Sequence, residues 1–217
     1  MSIDRKQQLE RGLDKLDVPW KSEQIEKLLS FLSMLERWNK TFNLTAIRDP
    51  FDMLKLHLLD SATMHQPIQL ANRIIDVGSG AGLPGIPLAI LNPEKQFTLL
   101  DSNGKKTRFI FQARSELALT NVKEVNCRVE AYQPEVPFDM VITRAFSSLP
   151  KMLQQCDHLV SSEGVFLAMK GKKPDLELSQ IQKEYKVSDL SKVMVPETEG
   201  ERHLIEIKKI TNEQLFK

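Results

Sequence analysis

The sequence predicts an α/β fold in which an N-terminal helical extension precedes a largely parallel β-sheet. Two observations support this prediction. Apolar residues in the first 70 positions recur at helical spacing, with no convincing strand among them. Beyond Pro67, short apolar runs alternate with glycine turns or amphipathic helical segments, as in parallel sheets. We therefore place a division near residue 70, with a helical extension over 1–70 and a second domain over 71–217.

The extension is predicted to contain three helices. Leu9, Leu13 and Leu16 mark the first helix. We expect Ser22 to cap the second helix, and Asp49 to cap a third helix that begins with Pro50 and runs to about Met64. The apolar face of the second helix comprises Ile25, Leu28, Leu29, Leu32 and Leu35.

Seven apolar runs are predicted to form strands. They are Arg73–Val77, Phe97–Asp101, Val122–Cys127, Phe138–Thr143, Val165–Lys170, Val187–Val195 and His203–Ile210. The last two are separated only by a short turn that contains Glu and Gly, so we expect an antiparallel hairpin at the edge of the sheet.

Composition excludes several classes of protein. Hydrophobic residues make up 41% of the chain, which supports a packed core, and 30 basic against 29 acidic residues give a net charge of +1. This charge excludes a strongly basic nucleic-acid coat but not a locally basic groove. Cys127 and Cys156 fit neither a disulfide scaffold nor a zinc site. The charged segment Met1–Glu10 and the lack of an apolar run of about 18 residues predict a cytoplasmic protein without membrane contact.

A glycine-rich turn is the clearest candidate ligand site. The predicted strand that ends at Val77 leads into Gly78-Ser79-Gly80-Ala81-Gly82, where glycines let the backbone approach a ligand closely. The spacing of Gly80, Gly82 and Gly85 also fits a dinucleotide-binding turn. However, Asp76 stands two residues before the first glycine and would repel a pyrophosphate. We therefore favour a cationic cofactor, S-adenosylmethionine, over a dinucleotide or a purely structural turn.

Acidic residues after the next two strands are candidate partners of the same cofactor. Asp101 ends the second strand, where a carboxylate can accept hydrogen bonds from both ribose hydroxyls. The alternative is that Asp101 or Ser102 caps the following helix. Glu130, with the backbone at Val129, is a candidate for contact with adenine; the alternative is a solvated loop carboxylate.

Several segments together resemble the bacterial ribosomal RNA small-subunit methyltransferase G family, also called glucose-inhibited division protein B. The resemblance spans nearly the whole chain, and Thr143 stands where many members have Ser. The matching segments are Trp38–Lys40, Asn43–Thr45, His57–Ser61, Asp76–Pro87, Leu99–Ser102, Arg144–Phe146, Lys170–Gly171 and Gly200–Leu204.

The resemblance implies a Rossmann-like class I methyltransferase fold, with a seven-stranded, mostly parallel sheet and an antiparallel edge strand. It implies S-adenosylmethionine as cofactor and N7 of one guanine, in the 530 loop of 16S ribosomal RNA, as methyl acceptor. The partner is then the small ribosomal subunit, and we expect a monomer without a metal. The expected cofactor-binding residues are Asp76, Gly78, Gly80, Gly82, Leu83, Asp101, Val129, Glu130 and Arg144.

The residues agree with this chemistry. No Cys lies in a catalytic motif, and Thr143-Arg144-Ala145-Phe146 replaces the acidic or amide loop that amino-group methylation uses. Guanine N7 already carries a lone pair, so positioning can supply most of the acceleration. We expect Arg144 to be the catalytic residue that contacts the cofactor and shapes the guanine pocket; the alternative is an Arg paired with Asp139 or another surface acid. Phe146 would stack on the target base or belong to the core.

Polar residues of the helical extension are candidates for the pocket wall. His57, Asp60 and Ser61 share one helix face, and Asn43 and Thr45 are expected to join them. The alternative is simple hydrogen bonding between helices. A hydrolase is disfavoured because no GxSxG motif occurs.

RNA contact is expected to be local and electrostatic, through residues that bind phosphate without recognising sequence. These residues are Lys105, Lys106, Arg108, Lys170, Lys172, Arg202 and His203. An ordinary solvated face is the alternative for each of them. Two other functions remain open: a small-molecule methyltransferase, and a non-catalytic rRNA-binding or assembly factor that retains a cofactor pocket. A nicotinamide-dependent oxidoreductase ranks below both.

Overall fold

The computed structural model describes residues 4–144 and 146–210, so Ala145 of the quoted motif and both chain ends lie outside the described residues. The helices are α1 Arg5–Lys15, α2 Ser22–Phe42, α3 Pro50–Met53, α4 Asp60–Ala62, α5 Gly85–Leu91, α6 Gly104–Glu116, α7 Leu149–Cys156 and α8 Asp175–Ser179. The strands are β1 Arg73–Val77, β2 Gln96–Leu100, β3 Val122–Val125, β4 Phe138–Thr143, β5 Val160–Lys170, β6 Tyr185–Met194 and β7 Glu201–Lys209.

The seven strands form one sheet in the order β3-β2-β1-β4-β5-β7-β6. Strands β1 to β5 pair in parallel, whereas β7 is antiparallel to both β5 and β6. The predicted α/β class and edge hairpin are therefore confirmed, with β7 as the inner and β6 as the outer strand of the hairpin. Strand β5 begins earlier than predicted because Val160 pairs with Phe138, before a shift in register.

The N-terminal helices follow the predicted pattern with two differences. Lys21, and not Ser22, is the N-cap of α2: its backbone is extended, and its N–H donates to the Gln24 side chain at 2.8 Å. Asp49 caps α3 as expected, accepting from the backbone of Phe51. The predicted third helix, however, is interrupted by a π-helical segment, Leu54–Leu59, which joins α3 to α4.

Two hydrophobic clusters cover the two faces of the sheet. The larger cluster unites Leu13 of α1 and Leu35 of α2 with Ile74 of β1 and Leu99 of β2. The second cluster includes Ile75 and the buried residues of α7. The helical extension therefore packs directly on one face of the sheet, and its contacts fix where its polar residues meet the strand ends.

Gly85 occupies the first position of α5, directly beneath β1 and β2. A Cβ at this position would lie 2.9 Å from Asp76 Oδ2 and 2.8 Å from Leu99 Cγ. We therefore expect Gly85→Ala to lower the free energy of unfolding by about 1–3 kcal/mol, because buried neighbours must shift. Urea denaturation measures the change. Gly171→Ala is the matched control, since nothing lies within 4 Å of a Cβ there. Equal stability of the two variants would contradict the tight packing at Gly85.

Candidate active site

The glycine turn after β1 is held in a conformation that side chains rarely adopt. Gly78, Gly80 and Gly82 have φ values of 74°, 59° and 76°. A Cβ on Gly82 would also lie 2.6 Å from Ile86 Cγ1. The turn thus depends on glycine for its backbone angles and, at Gly82, for space.

Asp76 lies beneath this turn and is only 1% exposed. Its Oδ2 accepts a hydrogen bond from the backbone N of Gly85 at 2.9 Å. Its Oδ1 is buried and has no hydrogen-bond partner among the described residues. Burial raises the pKa of this carboxyl to about 7, against the partly compensating Gly85 hydrogen bond. Asp76 therefore offers an unused acceptor next to the turn.

Asp101 connects the turn to the start of α6. Its Oδ2 accepts from the backbone N of Gly80 at 2.9 Å, and its Oδ1 accepts from the backbone N of Asn103 at 2.8 Å. The structure does not support the alternative that Asp101 or Ser102 caps α6, because Asn103 is the cap and accepts from the backbone N of Lys105. Asp101 thus anchors the turn to the start of α6.

A cleft of about 240 Å³ opens beside Asp101, at the carboxyl ends of the parallel strands. Its lining includes five residues predicted for cofactor or substrate: Gly78, Asp101, Val129, Glu130 and Phe146. The other lining residues, which sequence reasoning did not assign to the site, are Val77, Leu100, Ser102, Cys127, Arg128, Lys151 and Gln155. Lys151 and Gln155 come from α7, which the topology brings to the strand ends.

The residues expected to contact adenine and the target base line this cleft. Glu130 is exposed, and its Oε1 accepts a hydrogen bond from Gln155 Nε2. Phe146 lines the cleft and also packs against the hydrophobic cluster around α7, so both of its expected surroundings are present. Leu83, in contrast, is 7% exposed and packs within the larger core, outside the cleft lining.

A cluster of charged groups joins the helical extension to the sheet. Arg144, at the end of β4, donates from Nη1 to Asp60 Oδ2 at 2.7 Å. Arg202 of β7 donates from Nε to the other oxygen, Oδ1, at 2.6 Å. The alternative pairing of Arg144 with Asp139 is wrong, since Asp139 Oδ2 instead accepts from the backbone N of Asn72 and that of Arg73.

His57 lies beside this cluster as a neutral side chain. Its Nδ1 is 3.1 Å from the carbonyl oxygen of Leu56, which only accepts, so we assign the ring proton to Nδ1. Its Nε2 then accepts from the Thr45 hydroxyl at 3.0 Å. Burial, followed by the positive charge of Arg144, lowers the pKa of His57 to about 4. His57 therefore holds the chain at Thr45 rather than carrying charge at neutral pH.

The other polar residues of the extension point elsewhere. Ser61 is fully buried and its hydroxyl donates to the backbone carbonyl of His57, within the same helical segment. Asn43 is exposed at the left-handed end of α2, where its side chain accepts from Arg48. Of the residues predicted for the pocket wall, Asp60 and His57 are thus the two that lie at Arg144.

The basic residues differ in their exposure and in whether they already contact groups of the protein. Lys105, Arg108 and Lys172 are exposed, and Lys106 Nζ lies beside the glycine turn. Lys170, in contrast, pairs with Glu177 at 3.0 Å and donates to the Phe146 carbonyl. His203 lies opposite Lys170 in the sheet and is 6% exposed, with Nδ1 lacking a partner among the described residues.

Comparison with known proteins identifies the family. The model of the family described as rRNA small subunit methyltransferase G matches residues 24–205. The chain belongs to this family. A ribosomal RNA small subunit methyltransferase G from Aeromonas hydrophila is 53% identical over 188 residues, covering 87% of each chain. One from Psychromonas ingrahamii is 48% identical over 202 residues, covering 93% of this chain and 97% of the relative.

Solved structures show the same fold at low sequence identity. A precorrin-6y C5,15-methyltransferase from Geobacter metallireducens superposes with a TM-score of 0.54 at 19% identity, covering 69% of this chain and 87% of that one. An S-adenosylmethionine-dependent methyltransferase from Thiobacillus denitrificans, solved with S-adenosylhomocysteine, gives 0.53 at 13% identity, covering 69% and 90%. The fold is therefore that of class I methyltransferases.

S-adenosylmethionine is the cofactor of the family, and the residues present fit it. The unpartnered Oδ1 of Asp76 suits a cationic group, and the glycine turn leaves room for a ligand. Among residues 4–144 and 146–210, no group of three His, Cys, Asp or Glu side chains is placed to hold a metal ion. None of the described helices is both long and apolar enough to cross a membrane.

The pKa of Asp76 leads to a testable pH dependence. At a pKa of about 7 the carboxyl is mostly protonated at pH 6 and mostly ionised at pH 7.5. Since a cation binds the ionised form, we expect the affinity for S-adenosylmethionine to rise several-fold between these values. Calorimetric titration at constant ionic strength measures it.

Asp76→Asn is the control for this pH dependence. An amide oxygen keeps the hydrogen bond from Gly85 but removes the titrating group. Its affinity should be weaker at pH 7.5 and flat between pH 6 and 7.5. An equally steep pH dependence in Asp76→Asn would assign the titration to another group.

Proposed function

We propose that this chain transfers the methyl group of S-adenosylmethionine to N7 of one guanine in 16S ribosomal RNA. Family membership supports the reaction and substrate, and the cleft at the strand ends supports the location. In this proposal residues 71–217 form the cofactor domain, and residues 1–70 form the wall that carries Asp60. The protein works as a monomer in the cytoplasm.

The cofactor would be held by groups from three strand ends. Asp76 and the glycine turn would hold the cationic methionine part, Asp101 the ribose, and Val129 and Glu130 the adenine. When bound, S-adenosylmethionine supplies an electrophilic methyl group. The buried position of Asp76 beneath the turn is the observation that carries this assignment.

The chain does not need a strong base for this transfer, because guanine N7 is already nucleophilic. His57 is committed to Thr45, and both oxygens of Asp60 accept from arginines, so neither serves as a proton acceptor. Arg144 uses one N–H for Asp60, which leaves other donors of its planar fork. These donors would fix the guanine through its O6 and the neighbouring cofactor, which places N7 for the transfer.

Exposed cations beside the cleft would hold the RNA backbone. Lys105 and Arg108 lie on α6, which begins after Asp101, and Lys172 follows β5. Their side chains are free to meet phosphates, whereas Lys170 already pairs with Glu177. The small ribosomal subunit is the proposed partner, since a net charge of +1 gives little general attraction for RNA.

Transfer of labelled methyl groups tests this proposal. The substrates are small ribosomal subunits and free 16S RNA from cells that lack the enzyme, and the modified base is mapped after digestion. We expect 7-methylguanine at one position, with the subunit as the better substrate. Arg144→Ala should lower kcat/KM by about 100-fold or more, because it removes preorganised donors from the guanine pocket.

Arg37→Met is the matched control for the loss of one arginine. Arg37 pairs with Glu116 on an exposed surface, at the end of α6 remote from the glycine turn. This variant should retain wild-type activity. Methylation of a metabolite but not of RNA, or RNA binding without transfer by the wild type, would overturn the proposed function.

A further inference from the structure

We propose that Asp60 is a positioning residue for the transfer, and that Arg202 acts on the reaction through Asp60 rather than by touching the RNA. This inference rests on the proposed function of Arg144. It changes the expected role of two residues: a buried carboxylate holds Arg144 in place, and a second arginine holds that carboxylate.

Burial separates Asp60 from any substrate. Its side chain is 4% exposed, whereas those of Arg144 and Arg202 are 21% and 22% exposed. The carboxylate therefore lies beneath the two guanidinium groups and is covered by them. Residues that meet RNA phosphates directly must present donors at the surface, and Asp60 does not satisfy this condition.

Both oxygens of Asp60 are engaged by cations from different elements. Oδ2 accepts from Arg144 at 2.7 Å and Oδ1 from Arg202 at 2.6 Å. Such charge-assisted hydrogen bonds are short and directional, so the carboxylate is fixed in orientation from two sides. Loss of the bond from Arg202 would free the carboxylate to rotate, and Arg144 would move with it.

The topology explains why these three residues meet. Asp60 begins α4, Arg144 follows β4, and Arg202 lies near the start of β7. Because β7 is antiparallel to β5, its first residues lie at the edge where the parallel strands end. The helical extension, the parallel part of the sheet and the edge hairpin are thus tied together at one carboxylate.

A second buried carboxylate, that of Asp76, also attracts the guanidinium of Arg144. The charge of Arg144 lowers the pKa of Asp76, against the larger effect of burial, so Arg144 lies within electrostatic reach of both acids. Arg144 donates a direct hydrogen bond to Asp60, whereas Oδ1 of Asp76 has no partner among the described residues. Removing Asp60 would leave Asp76 as the competing partner for Arg144.

Arg202 also makes a second hydrogen bond within the protein, which leaves fewer of its donors for RNA. Its Nη1 donates to the backbone carbonyl of Glu201 at 2.9 Å while Nε donates to Asp60. Two donors of the fork thus face the protein. An arginine that served mainly to bind phosphate would expose its guanidinium to solvent. Lys105 and Arg108 are exposed in this way.

A double-mutant cycle distinguishes positioning from direct contact. Kinetics on small ribosomal subunits compare the wild type with Asp60→Asn, Arg202→Met and the double variant. We expect Asp60→Asn to lower kcat by about 10- to 100-fold, as for a misplaced catalytic group. Arg202→Met should lower kcat less. In the Asp60→Asn background it should have no further effect, because its action passes through the missing carboxylate.

The salt dependence of subunit binding provides an independent measurement. Loss of a direct phosphate contact reduces the slope of log affinity against log salt by about one. We expect Arg202→Met to leave this slope unchanged, while Lys105→Ala, an exposed cation, reduces it. Arg202→Lys keeps the charge but loses the planar fork, so it should restore only part of kcat.

Three results would overturn the inference. The first is that the fold-reductions in kcat caused by Asp60→Asn and Arg202→Met multiply in the double variant. The others are a smaller salt slope in Arg202→Met, and a wild-type kcat in Asp60→Asn. If Asp60→Asn does not fold, the kcat values and salt slopes of Arg202→Met and Arg202→Lys test the inference without it. Absence of RNA methylation by the wild type would instead contradict the proposed function itself.

Discussion

Two carboxylates at neighbouring strand ends hold the glycine turn and the start of the helix that follows it, and the rest of the site depends on them. Asp76 accepts from Gly85 at the end of β1, and Asp101 accepts from Gly80 at the end of β2. Asp76 thus holds the first residue of α5, and Asp101 holds the turn itself. The turn is therefore fixed by backbone donors that side-chain substitutions within it do not remove. Of the four carboxylate oxygens, only Oδ1 of Asp76 has no hydrogen-bond partner among the described residues.

The buried carboxylates also have a cost that explains the surrounding charges. Asp76 is desolvated, and its raised pKa means that ionisation at neutral pH is only partial. Asp60 is equally buried but meets two arginines directly. Breaking such a pair leaves an uncompensated buried charge, which is strongly destabilising. The cluster around Asp60 is thus a closed unit of structure, whereas Asp76 remains open to a cation.

The sequence predicted the elements better than the contacts between them. All seven strands and the glycine turn followed from local patterns, because apolar runs and glycines act over a few residues. Local patterns did not predict the π-helical segment Leu54–Leu59 or the Lys21 cap. Local propensity specifies neither the wider turn of a π-helix nor an unusual cap. The pairing of Asp60 with Arg202 spans 142 positions and depends on the placement of β7 in the sheet.

The sequence likewise does not show which basic residues are available to bind RNA, because some of them pair with acids in the fold. Lys170 and Arg202 are both committed to carboxylates, so they add little to the long-range attraction of RNA. The exposed Lys105, Arg108 and Lys172 remain available, but they act within a protein of net charge +1. A few phosphate contacts give weak, salt-sensitive binding to naked RNA. In the proposed function, selection of one guanine would therefore come from the shape of the cleft and of a folded ribosomal particle, which would present the base to Arg144 in one orientation.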